Sequence, residues 1–218
     1  MSKTATKPTG RRRTETKEKR REQLIRATIR SIAQHGLSWT TMATVSSEAG
    51  LSQGIINLHF QSKERLLVET LSFVVGEYRS AWEQALEKTP GDSADKVRAL
   101  VDVDFSAAVC DRNKLAVWFA FWGESRSRPT YRKLCAQQDR VYRDVLAGLC
   151  ADIIRDGGYR RLDPVIVAAG LISLSQGLWL DLLLIPRVRS RTMARNICLA
   201  HLARVFPRHF RDPMLLAN

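Results

Sequence analysis

Residues Thr41 to Phe60, TMATVSSEAGLSQGIINLHF, constrain the fold of this chain more than any other stretch. Two short amphipathic patterns flank Gly50-Leu51, too close together for a strand to lie between them. Thr41 reads as the N-cap of a helix to Ala49, with Met42, Val45, Ser46 and Ala49 on one face. Gly50 breaks it, because a tight turn between helices needs a positive φ that disfavours residues with a side chain. Ser52 starts a second helix through about His59. Met42, Val45 and Ala49 would pack against Leu51, Ile56 and Phe60 and hold the pair at a steep angle. That is the helix-turn-helix arrangement, whose second helix enters the DNA major groove; the plainer reading is a corner between two helices of a helical protein.

Charge favours the first reading. The chain of 218 residues carries a formal net charge of +13. Residues 1–63 hold twelve Lys/Arg against four acids, leaving 23 against 18 for the remainder, so under a third of the chain holds most of the excess. A basic concentration beside a helix-turn-helix suits a polyanion, although a solvated basic tail would give the same count. Residues 1–16 have no apolar periodicity and read as a disordered basic arm. Residues 17–63 read as the DNA-binding domain and residues 64–210 as a helical body.

The remaining punctuation is helical. Leu24, Ile25, Thr28, Ile29 and Ile32 stripe a helix from about Lys17 to Gln34, with Gly36 as its left-handed cap. Ser62 caps a long helix to Lys88, and Thr89-Pro90-Gly91-Asp92 turns the chain. Further helices start at Ser93 (to about Cys110), Asp111, Pro129, Asp163-Pro164 and Ser190. The fold class is all-α: an N-terminal three-helix helix-turn-helix domain followed by a C-terminal helical bundle.

On the reader helix the outward positions are Ser52, Gln53, Gly54, Ile55, Asn57, Leu58 and His59. Gln and Asn can pair bidentately with adenine, Ile55 can touch a thymine methyl, and Gly54 lets the backbone approach the duplex. Thr41 and Lys63, at flanking helix starts, suit phosphate. Arg11, Arg12, Arg13, Lys17, Lys19, Arg20 and Arg21 would add salt-sensitive backbone affinity. In the body, Leu171, Leu174, Leu178, Asp181 and Leu182, with Ile197, Leu202 and Val205, form a face for a homodimer or for the protomer's own core. A two-fold dimer would match a palindromic double-stranded DNA operator.

Aromatic residues concentrate at Trp118, Phe119, Phe121 and Trp122, with Trp179 further on. Trp118, Phe121, Trp122 and Trp179, with Asp104, Glu124 or Asp181 as counter-charge, could form a cage for a quaternary ammonium. Aromatics at helical spacing also pack simply as core. Cys110, Cys135, Cys150 and Cys198 form no CxxC pair and read as reduced residues of a cytoplasmic protein. Val165 to Ile185 is apolar enough to span a bilayer, but its Asp181, Gln176 and serines suit a buried helix better, so no membrane partner is expected. No Walker loop, HExxH, GxSxG or Rossmann fingerprint occurs, and the four histidines are dispersed. No catalytic residue, metal ligand or cofactor is assigned.

The string AxVSSEAGLSxGxxxxHFxSKExLL, over about residues 20–70, resembles the N-terminal domain of TetR-type repressors. Two positions depart from the usual pattern: Asn57 stands where the family commonly has Tyr, and Leu58-His59 replaces a common His-Tyr. Operator sequence therefore does not carry over. WFAFWGESRSRPTYRKL and AAGLISLSQGLWLDLLL, within roughly Val103 to Ile185, are similar to the C-terminal domain of BetI-type regulators. That resemblance implies a dimeric, effector-controlled repressor of choline and glycine betaine metabolism genes, with choline or betaine aldehyde as the small-molecule effector. A TetR-type repressor for another hydrophobic or cationic ligand, such as a drug-efflux regulator, and a DNA-binding protein with no effector are the alternatives.

Overall fold

The computed structural model describes residues 9–185 and 190–213, with side chains from residue 17 onward. Helices α1 (Thr9–Trp39), α2 (Met42–Ala49), α3 (Gln53–Phe60), α4 (Lys63–Lys88), α5 (Ser93–Asp104), α6 (Arg112–Glu124), α7 (Pro129–Gly157), α8 (Pro164–Leu184) and α9 (Arg191–Val205) follow one another, with no strand among the described residues. The chain divides into two units between Thr70 and Leu71.

In the first unit, Leu24, Ile25, Ile29 and Ile32 of α1, Val45 and Ala49 of α2, and Ile56 and Phe60 of α3 are buried. Thr41 caps α2 through a reciprocal box: its hydroxyl accepts from the Thr44 amide, and the Thr44 hydroxyl accepts from the Thr41 amide. Gly50 adopts φ 64°, ψ 34°, the left-handed turn expected of it. Arg30 pairs with Glu48 and locks α1 to α2. The first unit extends seven residues past Lys63, because Leu66, Leu67 and Thr70 are buried and Glu69 pairs with Arg21.

Three local expectations change. Helix α1 begins at Thr9, so residues 9–16 of the expected disordered arm are helical, while residues 1–8 lie outside the described residues. Gly36 takes φ 77°, ψ 169° (positive φ, but not the left-handed helical cap), and the chain resumes helical turns to Trp39 across this kink. Helix α5 is capped by Asp92, whose carboxylate accepts from the Ala94 and Asp95 amides, and it stops at Asp104 rather than near Cys110. The early stop frees the Asp104 carbonyl, which accepts from the Trp179 indole at 2.8 Å and the Cys110 thiol at 3.0 Å.

In the second unit α8 packs on α6, α7 and α9, while α5 packs on α7 and α9. Asp111, Asp163 and Ser190 cap α6, α8 and α9 as their sequence positions suggest. Leu171, Leu178 and Leu202, candidates for a contact between protomers, are instead buried in the unit's own core. The outward stripe of α8 is Ile166, Gly170, Ser173, Gly177, Leu180 and Leu184. Helix α8 is also long and apolar enough to cross a membrane by length and composition, and its most apolar window is 33% buried. All four cysteines are free. Burial pushes the Cys150 thiol up to about 12, so it stays protonated as a small apolar core group.

Candidate functional site

The first unit presents α3 outward. Ser52, Gln53, Gly54, Asn57 and Leu58 are exposed, and Ile55 is half-buried behind them. Ser52 occupies the N-cap but makes no capping bond with its hydroxyl. At Gly54 an added methyl group would meet nothing nearer than the Ser52 hydroxyl at 3.9 Å, and φ there is not positive. The protein's own fold therefore has no need of glycine at this position. Leu58 is 76% exposed and Trp39 77%, two large apolar side chains open to solvent in the first unit.

The remaining candidates are less open. His59 is half-buried with Nδ1 shut off and without a protein partner. Burial first, then Lys17, Arg21 and Arg20, lowers its pKa and keeps the ring neutral. Its ring is thus placed among the cations of α1. The Lys63 ammonium donates to the Ser38 carbonyl at 3.3 Å, and exposed Thr41 uses its hydroxyl as a cap. Arg21, expected on phosphate, lies over the Phe60 ring and pairs with Glu69. Arg20 is half-buried and donates to the Gln23 side chain at 2.7 Å.

The second unit holds the other cluster. Asp104, at the C-terminal end of α5, is 3% exposed. Its Oδ1 accepts from the Tyr78 hydroxyl at 2.8 Å and the Tyr142 hydroxyl at 3.4 Å. Burial raises its carboxyl to about 6, with the hydrogen bonds from Tyr78, Ser175 and Tyr142 pulling the other way. Both tyrosines are held well above their ordinary range, first by burial and then by the Asp104 charge, so they stay protonated donors. No ion pair reaches Asp104 among the described residues.

Aromatic rings surround this carboxylate. Tyr78 meets Trp179 edge-on at 5.5 Å and Trp118 edge-on at 6.2 Å, and Tyr142 at 5.6 Å. Trp118 in turn meets Trp122 at 5.8 Å. Together with Gln138 and Asp139 they line a partly enclosed cavity of about 20 Å³, room for about one water molecule. No Lys, Arg or His lines it. Tyr78 and Trp118 also line a neighbouring open cleft of about 550 Å³, so these two rings border both spaces.

Comparison with known proteins agrees with both halves. Residues 24–70 match bacterial regulatory proteins of the tetR family, and residues 93–207 match the BetI-type transcriptional repressor C-terminal domain. The chain is 35% identical over 164 residues to the HTH-type transcriptional regulator BetI of Paraburkholderia xenovorans strain LB400, covering 75% of this chain and 82% of that one. It belongs to the TetR family, with a BetI-type C-terminal domain. The BetI regulator of Stenotrophomonas maltophilia strain R551-3 is 32% identical over 165 residues, covering 74% and 80% of the two chains.

Solved structures of the TetR type share the fold. A putative transcriptional regulator from Pseudomonas aeruginosa PAO1 has a TM-score of 0.77 at 29% identity, covering 89% of this chain and 95% of its own. A putative regulator from Saccharomonospora viridis, solved in complex with choline, has a TM-score of 0.73 at 24% identity, covering 86% and 96%. This TetR-family chain is therefore a DNA-binding transcriptional repressor and not an enzyme.

Of the seven ligand residues expected from sequence, the structure brings Trp118, Trp122, Trp179 and Asp104 to one cavity. Phe121 points away and packs edge-on against Tyr131 at 4.7 Å. Glu124 is engaged with Arg128 and Ser127, and Asp181 does not line the cavity. Tyr78, Gln138, Asp139 and Tyr142 were missed. They come from α4 and α7, and only the convergence of these helices with α5, α6 and α8 assembles them; no local motif marks them.

Proposed function

We propose that the chain is a homodimeric, operator-binding repressor of choline and glycine betaine metabolism genes, whose effector is a quaternary ammonium compound, choline or betaine aldehyde. One observation carries the proposal: Asp104 is a buried carboxylate with aromatic rings around it and no cation beside it. Such an arrangement is costly unless a cation arrives. A primary ammonium would need several hydrogen-bond acceptors, and the rings offer few. A trimethylammonium group asks for none, and aromatic faces with one negative charge suit it. The BetI relatives and the choline complex of the S. viridis regulator support this reading.

The free space of the cavity is too small for choline, so binding would shift side chains that line it. Tyr78 stands on α4, the helix that begins directly after the reader helix. Ligand seated against Tyr78 would bias α4 between two arrangements and alter operator affinity. For the dimer, the outward stripe of α8 is spaced 4, 3, 4, 3 and 4 residues apart, with glycines and serine allowing close approach of a second copy. A two-fold dimer would set two reader helices on a palindromic operator in the cytoplasm.

Calorimetric titration with choline, betaine aldehyde, glycine betaine and tetramethylammonium tests the effector. Saturable binding that Trp122→Ala removes without unfolding the protein is expected. If none of the four binds, the effector reading fails while the family assignment stands.

A further inference from the structure

The cage explains how a cationic head would be held, but not Gln138. This side chain is 5% exposed and lines the cavity from α7, yet its amide nitrogen Nε2 has no hydrogen-bond partner in the protein. Buried amide donors are nearly always paired, and an unpaired one lining the cavity proposed for the effector points to an acceptor on the ligand. Asp139, the next residue, is half-buried on the same cavity, with Arg143 as the cation acting on its carboxylate. A ligand in this space meets two carboxylates, the side-chain amides of Gln138 and Gln176, of which only Gln138 is buried with an unpaired donor, and no cationic side chain.

We propose that Gln138 reads an uncharged oxygen on the effector, so that the site selects a quaternary ammonium ending in a hydroxyl or carbonyl over one ending in an alkyl group or a carboxylate. The inference rests on the cage being a cation site and adds its polar end. Gln138 supplies the donor for an alcohol or aldehyde oxygen. A terminal carboxylate would instead lie near Asp104 and Asp139 with no lining cation to offset it. The repressor would therefore respond to the alcohol or aldehyde and ignore the acid made from them by oxidation.

The test is a set of titrations of the full-length protein with choline, n-propyltrimethylammonium and glycine betaine. The propyl compound replaces the choline hydroxyl by a methyl group and so isolates the oxygen. Choline should bind at least about tenfold more tightly than either of the others, because a buried donor left unpaired penalises the analogue. Gln138→Leu should bring choline and the propyl compound within about twofold by weakening choline alone. Gln138→Met, which keeps the chain length without a donor, serves if the leucine variant does not fold. Asp139→Asn should narrow the gap between choline and glycine betaine. Equal binding of choline and the propyl compound to the unaltered protein would overturn the role of Gln138 and leave the cage intact. Failure of both to bind would overturn the cage and this inference with it.

Discussion

The two units place their functional polar groups in opposite ways. On α3, Gln53, Asn57 and Ser52 stand in solvent and bear no part of the fold's own packing. In the second unit Asp104, Tyr78, Tyr142 and Gln138 lie in or against the core, the tyrosines bonded to Asp104 and the Gln138 Nε2 without a protein partner. An exposed reader can change its specificity at little cost to stability. A buried sensor cannot, since every polar group there also enters the folding free energy.

The sharpest way to break this contrast is at Asp104. Asp104→Asn keeps an oxygen to accept from Tyr78 and Tyr142 but removes the charge, and should abolish binding of trimethylammonium compounds in calorimetry. The same change should stabilise the ligand-free protein at pH 7.5. The native carboxyl, raised from 3.8 to about 6, contributes stability that is fully present below pH 4 and lost as pH rises to about 6. The loss is on the order of 3 kcal/mol at most. Thermal melts that show the variant less stable would contradict the burial cost. In the unaltered protein, cation affinity should fall as pH drops through about 6, because protonation removes the counter-charge.

Gly54→Ala tests the other side. The fold has space for the methyl group, and a helical alanine should add up to about 1 kcal/mol of stability. Operator affinity should fall at least about tenfold in gel shift if the DNA backbone or bases approach this position closely. Unchanged affinity would remove α3's glycine from the interface.

Smaller effects come from single side chains. Gln53→Ala should relax preference at one operator position by about 1–3 kcal/mol and leave random DNA unaffected. Lys63→Ala should weaken all duplexes alike and reduce the salt slope by about one. A loss of base preference in the Lys63 variant would show that its bond to the Ser38 carbonyl positions the reader rather than serving phosphate.

The same contrast governs what the sequence discloses. The first unit is built from local signals: Thr41, Gly50 and the periodicity of Val45, Ala49, Ile56 and Phe60 lie within twenty residues and state their geometry directly. His59 and Arg21 escaped because their environment is set by the packing of α3 and α4 on α1, a long-range matter. In the second unit Trp118, Trp122 and Trp179 were visible as aromatic clusters, but Tyr78 and Tyr142 are ordinary residues until folding brings them to Asp104. Periodicity also could not separate the two faces of α8. With a helix apolar all round, nothing local says that Leu171 and Leu178 face in while Ile166 and Leu184 face out.

The Tyr78–Trp118 pair has a consequence in time. The space beside it has room for about one water, so the proposed effector would need the lining rings to part before it could enter, and again before it could leave. Entry and exit would then share one barrier. Such a sensor would average its input: brief pulses of effector would pass without a response, and a response once begun would outlast the pulse that started it.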